Sequence, residues 1–179
     1  MNLVSFGIHL LRISILLSIL APIATAGEQP RVRATVQPAK QRKSAPEFSL
    51  QDCTGKTINL KNYHGKVLLL DFWATWCHGC KEEIPWFAEF KRKYAARGLT
   101  VVGVSLDDDG WTKVKPFMRD AKIPYQILLG NEATAKRYGI ERMPDTFLID
   151  RQGRIAATYV GLVDKEDVEK NIRAMLAPP

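Results

Sequence analysis

Residues 67–73, VLLLDFW, are apolar at every position except Asp71, and Gly65 closes the run off on its upstream side. The run is far shorter than the roughly 20 residues that a membrane-crossing helix requires, and it has no polar face of the kind a surface helix carries. A short unbroken apolar run between turn residues fits a central strand buried on both faces. Such a strand needs cover on each side, so the chain is held to a sheet with helices over both of its faces.

The flanking sequence follows the same logic. Residues 48–50 (FSL) and 57–60 (TINL) enclose DCTGK, where Gly55 supplies a turn, and predict a short hairpin. Over 80–97, apolar side chains at 84, 87, 88, 94 and 95 are interleaved with charge at 81–83, 89 and 91–93, which predicts a helix with one buried face, ended by Gly98. Residues 100–106 predict a second buried strand, 111–120 a helix, 125–129 a short apolar segment and 132–138 a helix closed by Gly139. A hairpin over 146–150 and 155–160, turning at RQGR, and a last helix over 164–176 with Asp164 as N-cap complete the pattern. This is a mixed α/β order: the β-α-β part calls for a parallel pair, and the terminal hairpin adds antiparallel strands to the same sheet. The acidic run 107–109 lacks the glutamate that ends a calcium loop, since position 118 is Met118, and reads as a polar loop capping the helix at Trp111.

A chain of 179 residues carries one ordinary folded unit. Residues 1–26 stand apart from it. They are almost wholly apolar from Leu10 to Ile23 and end in Ala24-Thr25-Ala26, the small-x-small pattern of a cleaved secretory leader; if retained, the segment serves as a membrane tether. Arg12, Arg31, Arg33, Lys40, Arg42 and Lys43, set against Glu28, place most of the +7 net charge in the first 45 residues. Residues 27–45 hold two prolines and no aromatic residue, and predict a basic, flexible, solvated linker, leaving 46–179 as the domain. No nucleic-acid motif accompanies this charge, so the partners expected exclude nucleic acid.

In an exported chain three cysteines allow at most one intramolecular disulfide; Cys77 and Cys80 are the close pair, and Cys53, in a turn, is left as a free thiol. Cys-x-x-Cys spacing serves zinc, haem and reversible disulfides alike. Structural zinc wants about four ligands, which Cys53 and three scattered histidines supply poorly, and haem attachment wants a histidine where Lys81 stands. With the pair between a buried strand and the next helix, Cys77 meets the unpaired N–H groups and positive dipole end of that helix, which favour its thiolate. Cys80, one turn inward, stays protonated. Cys77 then attacks a substrate disulfide and Cys80 resolves the mixed disulfide. The resolving thiol needs a proton acceptor, for which Asp71, the one charge in an apolar strand, is the first candidate and Glu83 the second. Trp76 is a candidate platform for partners, whereas Trp86, Phe87 and Phe90 read as core and rim.

These residues carry a resemblance. Gly65-Lys66, Phe72-Trp73-Ala74 with Trp76-Cys77-x-x-Cys80, Glu83-x-Pro85, Tyr138-Gly139, and Pro144 followed by Thr146 to Asp150 and Gly153 resemble the TlpA/ResA-like branch of thiol-disulfide oxidoreductases, from about Ala45 to Gly161. The resemblance implies a thioredoxin fold with an N-terminal β-hairpin extension, acting without a cofactor or metal. It further implies a cis Met143-Pro144 bond facing the cysteines, with Met143 offering backbone groups to an extended substrate, and a kink at Pro85. Its implied setting is extracytoplasmic, its implied partners are thiols and disulfides of exported proteins, including apocytochrome c, and a membrane or exported electron donor, and its implied state is a monomer. The sequence departs from the branch at Gly79, where proline is usual, and His78 adds a titratable group beside Cys77; both predict tuning toward a more oxidising potential. Asp145 replaces a frequent threonine. Two rival functions share the fold: a copper chaperone using the thiolates and His78, and a thiol peroxidase, whose threonine three residues before the reactive cysteine is Ala74 here.

Overall fold

The computed structural model describes residues 30–178, so the leader expected over 1–26 lies outside the described residues. Seven strands form one sheet: β1 (Ser49–Asp52), β2 (Thr57–Asn59), β3 (Val67–Trp73), β4 (Leu99–Ser105), β5 (Gln126–Leu129), β6 (Asp145–Ile149) and β7 (Ile155–Val160). Four helices accompany them: α1 (His78–Tyr94), α2 (Trp111–Asp120), α3 (Glu132–Tyr138) and α4 (Lys165–Leu176). The sheet order is β2-β1-β5-β4-β3-β6-β7. β3 lies near the middle, parallel to β4 and antiparallel to β6, and all of its residues are buried.

The period-2 geometry of β3 splits the core. Val67, Leu69 and Trp73 face a layer made by α1, α2 and α4, through Phe87, Phe90, Val114, Val168 and Ile172. Leu68, Leu70 and Phe72 face the other side, covered by Tyr138 of α3, Tyr63 and Phe48. Asp71 therefore belongs with the α1 side. Gly103 of β4, in register with Asp71, leaves the room that the Trp73 indole fills: a Cβ there would stand 2.8 Å from Trp73 Nε1 and 2.7 Å from Ile127 Cδ1.

Two expectations fail. The stretch 30–45 is not a flexible linker but a strap bound along the domain, its outer side chains still exposed. Gln37 N donates to Ala156 O (2.7 Å), Ile155 N to Lys43 O (2.8 Å) and Ala45 N to Gly153 O (2.9 Å), while Arg42 pairs at 3.1 Å with the buried Asp150. The physical reason is the open edge of β7, whose unpaired backbone groups these residues cover. The acidic run does not cap α2 either: Gly110 occupies the N-cap with no side-chain bond, and Asp107 is directed elsewhere. The helix predicted from residue 80 begins at His78 and continues through Pro85.

Candidate active site

β3 ends at Trp73, and a three-residue loop carries the chain to Cys77, which caps α1 with extended backbone and accepts a hydrogen bond from Cys80 N at 3.2 Å. Cys77 and Cys80 form a disulfide. The sulfurs are unequal: Cys77 keeps 6% of its surface exposed and Cys80 none, so an incoming group can reach only the first. Trp76 stands beside it, 67% exposed. His78 projects outward, with Nε2 3.8 Å from Glu82 Oε1, and Gly79 is buried in the first turn. Cys53 is an exposed free thiol, away from this pair in the β1–β2 turn.

Sequence reasoning missed the clamp on the loop. Thr75 donates its N–H to Asp107 Oδ2 (3.0 Å) and its hydroxyl to Asp107 Oδ1 (2.5 Å). The signal was topological: Asp107 follows the end of β4, and a parallel neighbour's end lies beside the loop leaving β3.

Two carboxylates are buried on the α1 side of the sheet, Asp71 on β3 and Glu83 on the helix that carries Cys80. Asp71 is fully buried; Thr146, its partner across β3 and β6, donates to Oδ1 at 3.4 Å, and Oδ2 has no hydrogen-bond partner. Burial pushes the Asp71 carboxyl up to about 8, with the charge of Asp145 adding to the effect. Glu83, one turn beyond Cys80, is equally buried. Its Oε1 accepts from Val163 N at 2.8 Å and its Oε2 is unpartnered, and burial together with the Asp71 charge holds its carboxyl well above the ordinary range. The Trp73 indole N–H is the third buried side-chain polar atom without a partner among the described residues. Burial raises both carboxyls, and the Asp71 charge adds to the effect on Glu83, which disfavours ionising the two together.

The residues leading into β6 contribute as well. The Met143-Pro144 bond is cis, Pro144 is buried, and Met143 packs on the core around the cysteines. Gly161 N donates both to Pro144 O (2.8 Å) and to Asp145 Oδ1 (3.2 Å). Asp145 is pushed up to about 6, chiefly by burial. Of the residues expected at the site, His78, Gly79, Cys80 and Glu83 share α1 with its cap Cys77, which Trp76 precedes, Asp71 acts on Glu83, and Met143, next to Pro144, packs on the core cluster that holds both cysteines. No group of three or more His, Cys, Asp or Glu side chains among the described residues is placed to hold a metal ion.

Comparison with known proteins agrees with this geometry. Residues 42–158 match the AhpC/TSA family. The thiol-disulfide oxidoreductase ResA of Bacillus thuringiensis subsp. konkukian is 36% identical over 133 residues, 73% of this chain and 76% of that protein. The thioredoxin-like protein YneN of Bacillus subtilis is 30% identical over 135 residues, 74% of this chain and 79% of its own. Among solved structures, a protein from Chlorobium tepidum assigned as a thiol:disulfide interchange protein DsbE superposes with a TM-score of 0.72 at 35% identity, over 76% of this chain and 97% of that one. With the fold, the disulfide at the helix start and these relatives in agreement, the chain belongs to the AhpC/TSA family and is a thiol-disulfide oxidoreductase of the ResA-like type.

Proposed function

We propose that this oxidoreductase works outside the cytoplasm, where it reduces disulfides of exported proteins, with apocytochrome c as the substrate class suggested by the resemblance to the TlpA/ResA-like branch. The leader pattern in residues 1–26 supports the compartment, and a membrane or exported donor returns electrons to the Cys77–Cys80 pair. The observation that carries the mechanism is the unequal burial of the two disulfide-bonded sulfurs, accompanied by two buried carboxylates, Asp71 and Glu83.

In the reduced protein, Cys77 is the thiolate, favoured by the amides of the α1 N-terminus. It attacks one sulfur of a substrate disulfide and forms a mixed disulfide, releasing the other substrate sulfur as a thiolate. Cys80 then gives its proton to the Asp71–Glu83 pair and attacks Cys77 Sγ. The protein disulfide closes, the second substrate thiolate leaves, and two electrons have passed to the substrate. Met143 and the cis Pro144 shape the groove in which the substrate backbone lies, Trp76 offers an apolar platform at its rim, and His78 and Gly79 set the potential.

Trapping tests this reading. A Cys80→Ser protein cannot close its own disulfide and should accumulate mixed disulfides between Cys77 and exported proteins, whereas Cys77→Ser should accumulate none. An empty trap in the exported fraction, or disulfide exchange that survives Cys77→Ser, would overturn it.

A further inference from the structure

The strap reaches further than the edge of β7. Near its start, Val32 N donates to Leu162 O (2.8 Å) and Val32 O accepts from Asp164 N (2.8 Å), so the two bonds straddle Val163. The amide of Val163 is the one that donates to Glu83 Oε1. Residues on either side hold the strap in place. Arg33 pairs with Asp164 at 2.7 Å, Ala34 N donates to Asp167 Oδ2 (3.0 Å), and Ala34 O accepts from Asn171 Nδ2 (2.7 Å). Arg31 lies 5.0 Å over the Trp86 ring of α1.

We propose that residues 31–34 are a positioning element of the redox site: by clamping the backbone on both sides of Val163, they hold the amide that hydrogen-bonds the Glu83 carboxylate.

The surroundings of Glu83 make that amide matter. Acting on it or acted on by it are Asp71 from β3, Asp145 from β6, Glu82 on its own helix and the phenol of Tyr125 ahead of β5, and Cys80 lies one turn back on the same helix. The three carboxylates and burial all oppose a charge on Glu83, and the Val163 amide alone favours it. If the clamp opens, the amide moves away, Glu83 keeps its proton to higher pH, and at neutral pH a smaller fraction of the protein has a base ready for Cys80. Only this last effect, on exchange, rests on the proposed role of Glu83 as proton acceptor.

The test is a titration of the Glu83 carboxyl carbon by NMR in the reduced full chain, alongside the rate of the resolving step. Val32→Pro removes the N–H that bonds Leu162. It should move the Glu83 titration to higher pH and slow the resolving step at pH 7 by about two- to tenfold, the range one hydrogen bond spans. Val32→Ala keeps both backbone bonds and should leave the titration in place. Arg33→Ala, which removes the exposed ion pair with Asp164, should move it the same way by less, and carries the test if Val32→Pro does not fold. An unmoved titration in folded Val32→Pro, or in Arg33→Ala where that variant carries the test, overturns the proposal. Glu83→Gln separates the two ideas: if it leaves the pH dependence of exchange unchanged, Glu83 is not the proton acceptor, while the strap's hold on its titration still stands or falls on the NMR shift.

Discussion

The Asp107 carboxylate takes both hydrogen bonds that Thr75 has to give, the backbone N–H at 3.0 Å and the hydroxyl at 2.5 Å. Ser105 Oγ donates to the same carboxylate at 2.8 Å, so one side chain ties the end of β4 to the loop that presents Trp76 and Cys77. Asp107→Ala leaves these donors without their acceptor and is expected to cost about 1–3 kcal/mol in urea unfolding. Exchange should slow with it, because the loop no longer fixes Cys77. Asp108→Ala, at an exposed neighbour, is the control and should do neither.

Asp71 sets a pH dependence whose sign is unusual for a carboxylate. Its folded-state value, about 8, lies above the ordinary 3.8. Between those values the folded protein binds the proton and the unfolded chain does not, so the Asp71 contribution is fully present below about pH 4 and is lost as pH rises through about 8. Asp71→Asn should therefore stabilise the oxidised protein at pH 8 by about 2–5 kcal/mol and change it little at pH 4. Equal changes in unfolding free energy at both pH values would remove Asp71 as a buried, protonated carboxyl.

Gly79, the second residue of α1, is where the redox equilibrium should respond most to a single change. Proline near a helix start pre-sets its φ and stiffens the first turn. Gly79→Pro is expected to favour the disulfide about tenfold, a potential lower by about 30 mV, read from equilibration with glutathione buffers. A potential that rises or stays put would show that the turn is not the tuning element.

Trp76 is exposed enough to be removed without disturbing the core. If it is the platform for partners, Trp76→Ala should raise KM for a disulfide-containing peptide about tenfold, with kcat and the unfolding midpoint nearly unchanged. A loss confined to kcat would instead place the indole in the exchange step.

Much of this architecture was legible because it depends on local pattern. The seven buried residues of β3 were apparent in the unbroken VLLLDFW run, and Gly98 and Gly139 take the left-handed conformation that ends a helical stretch. The pairing of Cys77 with Cys80 followed from their spacing and the burial of Asp71 from its place in an apolar run. What escaped depends on distant segments meeting. Glu83 was only the second candidate in the sequence, because the amide that bonds it comes from Val163, far along the chain. Asp107 read as a helix cap because only the β3–β4 register sets it beside Thr75. The strap did carry a signal: in RVRATVQ, Val32, Ala34 and Val36 are half-buried while Arg31, Arg33, Thr35 and Gln37 are exposed, the two-residue alternation of extended chain.

The strap also imposes an order of events on the chain. It is synthesised before every strand of the domain, yet the groups it binds, Leu162, Asp164, Asp167 and Asn171, lie after the last strand, in or just ahead of α4. Contacts between opposite ends of a chain form late, since they wait for the intervening residues. A nascent copy can therefore present the Cys-x-x-Cys helix while the Val163 amide beneath Glu83 still lacks its clamp. If the clamp acts on Glu83 as proposed, full competence for exchange arrives only with the C-terminal helix.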